Sequence, residues 1–175
     1  HSWGEHAPGR TSENDAIAVS HHLLLAHGWA VEAIRRAAPD AQVGIVLNLS
    51  HAYPASQTPE DEAAAWQVDG EVNRWFLDPL FRGSYPADLL ERNAVVAPLV
   101  QDGDMAAIAA PIDFLGINNY FRVVVGAGAA GPRLVANPDA QHTDMGWEVY
   151  PDGLYELLVR VARDYAPREI YVTEN

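Results

Sequence analysis

The stretch Ile170-Tyr171-Val172-Thr173-Glu174-Asn175 decides how this chain is read, because it joins a strand to a reactive tip. Its β-branched and aromatic run predicts a buried strand, and an ionisable Glu at a strand's C-terminal tip is where α/β proteins hold reacting groups. In a parallel sheet such a strand is followed by a crossover, so the chain reads as cut within an architecture. Working backward, Asp152-Gly153 opens a helix with Leu154, Leu157, Leu158 and Val161 on one face, ended by Pro167. Asp113 to Tyr120 (DFLGINNY) is apolar until its last residues and predicts a second strand. Gln42 to Leu49 (QVGIVLNL) predicts a third, a continuous apolar run expected to be covered on both faces.

Helices fill the intervals. Thr11, Ser12, Asn14 and Asp15 are cap-type residues ahead of a helix whose apolar or small positions recur at Ile17, Leu24 and Val31 and at Ser20, His27 and Ile34, with Pro39 as its stop. Thr58-Pro59-Glu60-Asp61-Glu62 supplies a cap hydroxyl, a proline at the first helical position and acid in the first turn, followed by Trp66, Trp75, Phe76 and Leu80. Arg82 to Pro86 breaks that helix, and Pro86 to Asn93 begins a short third one ahead of Val95-Val96. Val123 to Asn137, rich in Gly and Ala with alternating valines, is an excursion loop or small hairpin. Strands alternating with helices predict an α/β protein with a parallel sheet, either open and doubly wound or part of a (β/α)8 barrel. A complete barrel needs ~250 residues, so three strands would be a sector of one.

Composition narrows the function. The 175 residues are 49% hydrophobic and 20% charged, as in a globular protein with a core, and no uninterrupted apolar run is long enough to span a bilayer. Eleven basic residues against 24 acidic ones give a net charge of -13, a field that repels nucleic acid and anionic lipid. The absence of cysteine excludes thiolate chemistry and fits a reducing, cytoplasmic compartment. The chain starts at His1 without a basic stretch and apolar leader, and both ends read as truncated. The three predicted strands all end in polar residues: Asn48; Asn118, Asn119 and Tyr120; and Thr173, Glu174 and Asn175. In parallel α/β folds that edge binds ligands, and amide, phenol and carboxylate groups suit a neutral ligand rich in hydroxyls.

Six strings then become specific together. Thr173-Glu174-Asn175, FLGINNY (114–120), MGWEVYPDGL (145–154), HHLLLAHG (21–28), QVGIVLNL (42–49) and HAPG (6–9) together resemble glycoside hydrolase family 1, notably its bacterial β-glucosidases. The resemblance covers almost the whole chain. It implies that residues 1–175 are an incomplete segment of a single (β/α)8 TIM-barrel catalytic domain, from after strand 4 to the end of strand 7. It also implies a retaining β-glucosidase-like hydrolase acting on a β-linked glycoside or oligosaccharide by double displacement, without cofactor or metal.

By the same resemblance, Glu174 maps onto the nucleophile of the family's I/V-T-E-N-G motif. That role needs an ionised carboxylate beneath the anomeric carbon, forming a glycosyl ester that water hydrolyses. The partner acid/base, ~5–5.5 Å away in a retaining enzyme, belongs to a T-x-N-E-P motif ahead of HAPG that is missing from these residues. Glu5 lies in a different string and reads as a solvated loop or rim charge. Asn118 and Tyr120 match G-I-N-x-Y, and the tyrosine there bonds the nucleophile, which would keep Glu174 ionised and aimed. Asn119 replaces the usual aromatic and alternates to the opposite strand face, where it should touch packing more than chemistry. Trp147 resembles the tryptophan walling the aglycone site, since apolar sugar faces stack on aromatic rings. Asn48 and His6 fall near the leaving-group side, and His51 is another entrance residue or simply exposed. Purely structural roles stand beside these: a buried strand aromatic for Tyr120, core filling for Trp147, a strand-tip cap for Asn48 and a loop histidine for His6.

Other clusters carry no chemistry. His21, His22 and His27 lack a metal-ligand pattern and read as packing; Glu60-Asp61-Glu62 complements a helix dipole; Asp102-Gly103-Asp104 lacks calcium-loop spacing. Two rivals to the hydrolase remain: a non-catalytic carbohydrate-binding or structural barrel segment, and an independent open-sheet domain.

Overall fold

The computed structural model describes residues 7–92, 96 and 98–175, so Glu5, His6, Asn93 and Val95 lie outside the described residues. The chain opens with α1 (Glu13–Ala37), whose Ser12 hydroxyl accepts the Asp15 amide hydrogen at 3.2 Å; Glu13 and Asp15 stand in its first turn and Arg35 and Arg36 in its last. Both charge placements complement the helix dipole. Strands β1 (Gly44–Asn48) and β2 (Ala52–Pro54) follow. Thr58 caps α2 (Pro59–Asp69), which runs through a π-helical turn at Gly70–Arg74 into α3 (Trp75–Arg82). Next come α4 (Ala87–Arg92), α5 (Asp104–Ile108), β3 (Phe114–Asn118), β4 (Val123–Gly128), β5 (Gly131–Leu134), α6 (Pro151–Tyr165) and β6 (Ile170–Glu174).

The principal sheet is parallel with order β1-β3-β6. Its register runs from Gly44 opposite Phe114 to Asn48 opposite Asn118, and from Leu115 opposite Ile170 to Asn118 opposite Glu174, with an irregularity after Ile117. The three polar tips therefore share one edge. The excursion is a hairpin, β4 antiparallel to β5, and it forms a second sheet because β4 also pairs in parallel with β2.

Leu47, Leu115 and Ile117 are buried among Leu24, Leu25, Leu77, Leu80, Leu157 and Val161. Each such side chain contributes about 1.5–3 kcal/mol of hydrophobic stabilisation. Two expectations of burial fail. β1 is not covered on both faces, since Val46 is 48% exposed, and β6 is not buried, since Tyr171 is 47% and Val172 44% exposed. The reason is architectural: among the described residues β1 and β6 each have one strand neighbour, and only one sheet face carries the core. Ile34 also misses its predicted face and is 40% exposed, because the stripe buried by α1 is His21, Leu24, Leu25, Gly28 and Val31. At Gly28 an added Cβ would stand 2.1 Å from the Ala107 carbonyl oxygen, so α1 approaches α5 as closely as glycine allows.

Polar residues stitch the helices to the sheet edge. Asp69, 3% exposed, receives Arg160, the Arg74 Nε at 3.2 Å and the Asn73 Nδ2 at 2.7 Å. Asn73 in turn holds the backbone of Ser50, accepting its N–H at 3.1 Å and donating to its carbonyl at 2.8 Å. The π-turn thus points a buried amide at the loop after β1. Arg74 continues to Asp88 at 2.7 Å and lies 3.8 Å over the Trp66 ring, which explains how a 56% exposed tryptophan is tolerated in α2.

Candidate active site

The carboxylate at the end of β6 is reached first by its neighbours on β3. The Tyr120 hydroxyl donates to Glu174 Oε2, and that bond is the largest cause holding the phenol's pKa above its ordinary value. Thr173 Oγ1 donates to Asn118 Oδ1 at 2.6 Å, fixing the amide beside the carboxylate. Backbone bonds carry the ladder past the strand ends: the Asn119 N–H donates to the Glu174 carbonyl at 3.0 Å and the Leu49 N–H to the Asn118 carbonyl at 3.0 Å. Gly116 permits the close packing beneath, because a Cβ there would stand 2.7 Å from Val46 Cγ2 and 3.1 Å from Thr173 Cγ2.

Asn119 takes the packing role expected of it. It is 4% exposed and its Nδ2 donates to the Leu49 carbonyl at 2.8 Å, tying the tip of β3 to that of β1. Asn175 Nδ2 donates to the Asn119 carbonyl at 3.0 Å. Asn48 is exposed at the same edge, two strands over from Glu174 with β3 between them.

Trp147 comes from a separate loop and joins this group through ring contacts. Its centroid lies 5.2 Å from Tyr120 and 5.7 Å from Phe121. The loop holds its own shape: Thr143 N–H donates to the Trp147 carbonyl at 2.9 Å and Gly146 N–H to the Thr143 carbonyl at 2.9 Å. Tyr120, Phe121, Met145, Trp147, Tyr150 and Asn175 line an open cleft of about 460 Å³. Aromatic walls with a few fixed polar groups at one end describe a site for a ligand with an apolar face and hydroxyls.

Of the sequence candidates, Glu174, Tyr120, Asn118, Trp147 and Asn48 gather at this edge, and His6 lies outside the described residues. His51 sits farther back, its side chain 20% exposed, its ring 4.4 Å from that of Tyr53, and its Nδ1 without a hydrogen-bond partner among the described residues. Burial pushes its pKa down, with Arg160 acting in the same sense and Glu156 and Asp69 opposing. The carboxylates on the cleft's flank are engaged: Glu156 accepts from the Tyr53 hydroxyl at 2.6 Å, and Glu148 takes both arms of Arg122 at 2.8 and 2.9 Å. Arg122 and Glu148 escaped the sequence reading. The available signal was their placement, opposite charges within otherwise aromatic motifs, two residues after Tyr120 and one after Trp147.

The three histidines of α1 do not converge on a metal. His21 Nδ1 bonds the Tyr85 hydroxyl at 2.9 Å and its Nε2 faces Asp104 at 3.2 Å, whereas His22 bonds the Ala18 carbonyl. Among the described residues no group of three His, Asp or Glu side chains is placed to hold a metal ion, and no helix is long and apolar enough to cross a membrane.

Comparison with known proteins places this geometry in a lineage. The family model described as "Glycosyl hydrolase family 1" matches residues 1–175. Beta-glucosidase A of Acetivibrio thermocellus is 39% identical over 183 residues, a match covering all of this chain and 41% of that protein. The Beta-glucosidase of an Agrobacterium strain is 39% identical over 181 residues, covering all of this chain and 39% of that protein. The chain thus spans about two fifths of the length of these relatives. Among solved structures, the GH1 beta-glucosidase of Exiguobacterium antarcticum superposes with a TM-score of 0.94 at 38% identity, covering 100% of this chain and 41% of that one. The virulence factor SghA of Agrobacterium tumefaciens, solved with its substrate analog salicin, superposes at 0.95 and 36% identity, covering 100% of this chain and 40% of its own.

Proposed function

Because the chain belongs to glycosyl hydrolase family 1, we propose that it is part of a retaining β-glucosidase in which Glu174 is the nucleophile. Residues 1–175 form one sector of a single (β/α)8 catalytic domain, from after strand 4 to the end of strand 7, with β1, β3 and β6 as strands 5, 6 and 7. The observation that carries this reading is the bond from Tyr120 to Glu174 at the shared polar edge. It gives the carboxylate a donor, and a donor favours the charged, nucleophilic form.

In the first displacement a Glu174 oxygen attacks the anomeric carbon of a β-linked glucoside, forming a glycosyl ester as the bond to the leaving oxygen breaks. An acid supplied from outside these residues protonates that oxygen and then, as base, removes a proton from the water that attacks the ester. Tyr120 and Asn118 hold the carboxylate and its surroundings, while Trp147 and Asn48 face the leaving-group side. The acid is assigned to the rest of the polypeptide because no T-x-N-E-P string occurs in these residues, and Glu148 on the cleft's flank is held by both arms of Arg122. Hydrolysis of an aryl β-glucoside by the full-length polypeptide carrying these residues, with negligible turnover by the 175 residues alone, is the expected result. Robust turnover by the 175 residues alone, or none by the full-length polypeptide, would overturn the reading.

A further inference from the structure

Among the described residues Trp147 has no backbone hydrogen bond to the sheet edge it flanks. The hydrogen bonds of residues 141–149 run within the loop itself, from Thr143 to Trp147, from Gly146 to Thr143 and from Val149 to Gln141. Among the described residues, what joins this loop to the segment leaving β3 is one ion pair and the ring contacts. Arg122 presents Nε and Nη2 to the two oxygens of Glu148, at 2.8 and 2.9 Å, with both side chains about five-sixths buried, at 16% and 15% exposure. The guanidinium carbon also sits over the Tyr150 ring, 3.6 Å from its centroid. A two-point contact between planar groups fixes orientation as well as distance, and stacking on Tyr150 removes the remaining freedom. Arg122 follows the cleft residue Tyr120 by two positions, and Glu148, which follows Trp147 directly, itself lines the cleft.

We infer that Arg122 and Glu148 are positioning residues that lock the Trp147 ring against Tyr120, and so set how an aromatic leaving group stacks in the cleft. This rests on the hydrolase reading for its substrate but not for its geometry. Neither residue touches the reacting atoms. Loss of the pair should therefore weaken binding of leaving groups that stack on Trp147 more than it slows chemistry at Glu174.

The test uses Arg122→Met, Arg122→Lys, Glu148→Gln and the double variant R122M/E148Q in the full-length polypeptide. KM for a phenyl β-glucoside should rise about tenfold, while KM for methyl β-glucoside, which has no ring to stack, rises at least fivefold less. Lysine should not rescue, since it offers a point charge and not a fork. The double variant should lie within about twofold of the worse single variant, as partners in one contact do. Amide exchange at Thr143, Gly146 and Trp147 should quicken in every variant, and this reads the clamp whether or not the protein hydrolyses glucosides. An inactive wild type with quickened exchange in the variants would count against the hydrolase reading alone. Unchanged exchange, or equal losses for phenyl and methyl glucosides, would overturn the clamp.

Discussion

The two sides of the principal sheet are built to different ends. Against the helices, Leu47, Leu115 and Ile117 meet a core, and even the buried charges are matched, with Asp69 receiving Arg74, Arg160 and Asn73 at once. On the opposite face Val46 and Tyr171 are nearly half exposed, and at the polar tips Glu174 is exposed with one phenol donating to it. The helix side is finished by these residues. The open side is organised but uncovered among the described residues, which teaches that burial and matched charges against the helices hold this sheet together while its exposed polar edge is the part free to meet a ligand.

Substitutions on the two sides should separate cleanly. Glu174→Gln in the full-length polypeptide should cut turnover of an aryl β-glucoside by on the order of 10⁴-fold or more while leaving the unfolding midpoint close to wild type. A matching loss of stability would break the contrast. Asp69→Ala should do the reverse: it removes the buried carboxylate shared by Arg160, Arg74 and Asn73, leaving Arg74 with Asp88 and Arg160 with Asp164, and should cost about 3 kcal/mol in denaturant unfolding. Tyr120→Phe removes a charge-assisted bond to the carboxylate, so kcat should fall roughly tenfold or more, read by steady-state kinetics against an unchanged melting curve.

Smaller effects sharpen the boundary. Burial lowers the pKa of both His27 and His51 from the model-compound value of 6.5. The unfolded chain therefore binds more protons than the native state below about pH 6.5, and the stability these neutral rings contribute is present above that pH and lost as pH falls through their native pKa values. In His51→Gln the decline of the unfolding midpoint between pH 6.5 and 5 should become shallower, and an unaltered slope would show that His51 is not held neutral. Least of all, Arg36→Ala breaks a pair with Glu32 whose side chains are 68% and 66% exposed, and should change stability by less than about 0.5 kcal/mol.

Much of this division was legible in the chain. Apolar runs at 42–49, 113–120 and 170–175 gave the three parallel strands, and cap residues at Ser12 and Thr58 gave the starts of α1 and α2. The short α5 was not legible because its start at Gly103 relies on a positive φ and its Asp104 is fixed by His21, 83 residues away. β2 was equally silent, being three residues that pair only with β4. A run such as Ile170-Tyr171-Val172 specifies a strand but not what will cover it, so the open face could not be foreseen from composition. At the site, motif strings brought Glu174, Tyr120, Asn118 and Trp147 to one edge, while the Arg122–Glu148 pair was missed because its halves are 26 residues apart and each, taken alone, looks like a solvated charge.

The central claim is that Glu174 forms a covalent bond to the sugar. Incubating the full-length polypeptide with a β-glucoside whose 2-hydroxyl is replaced by fluorine, which slows release of the glycosyl ester, and locating the added mass by peptide mapping tests it most directly. The account predicts one added glycosyl residue, on the peptide containing Thr173-Glu174-Asn175; stoichiometric labelling of any other carboxylate would contradict it.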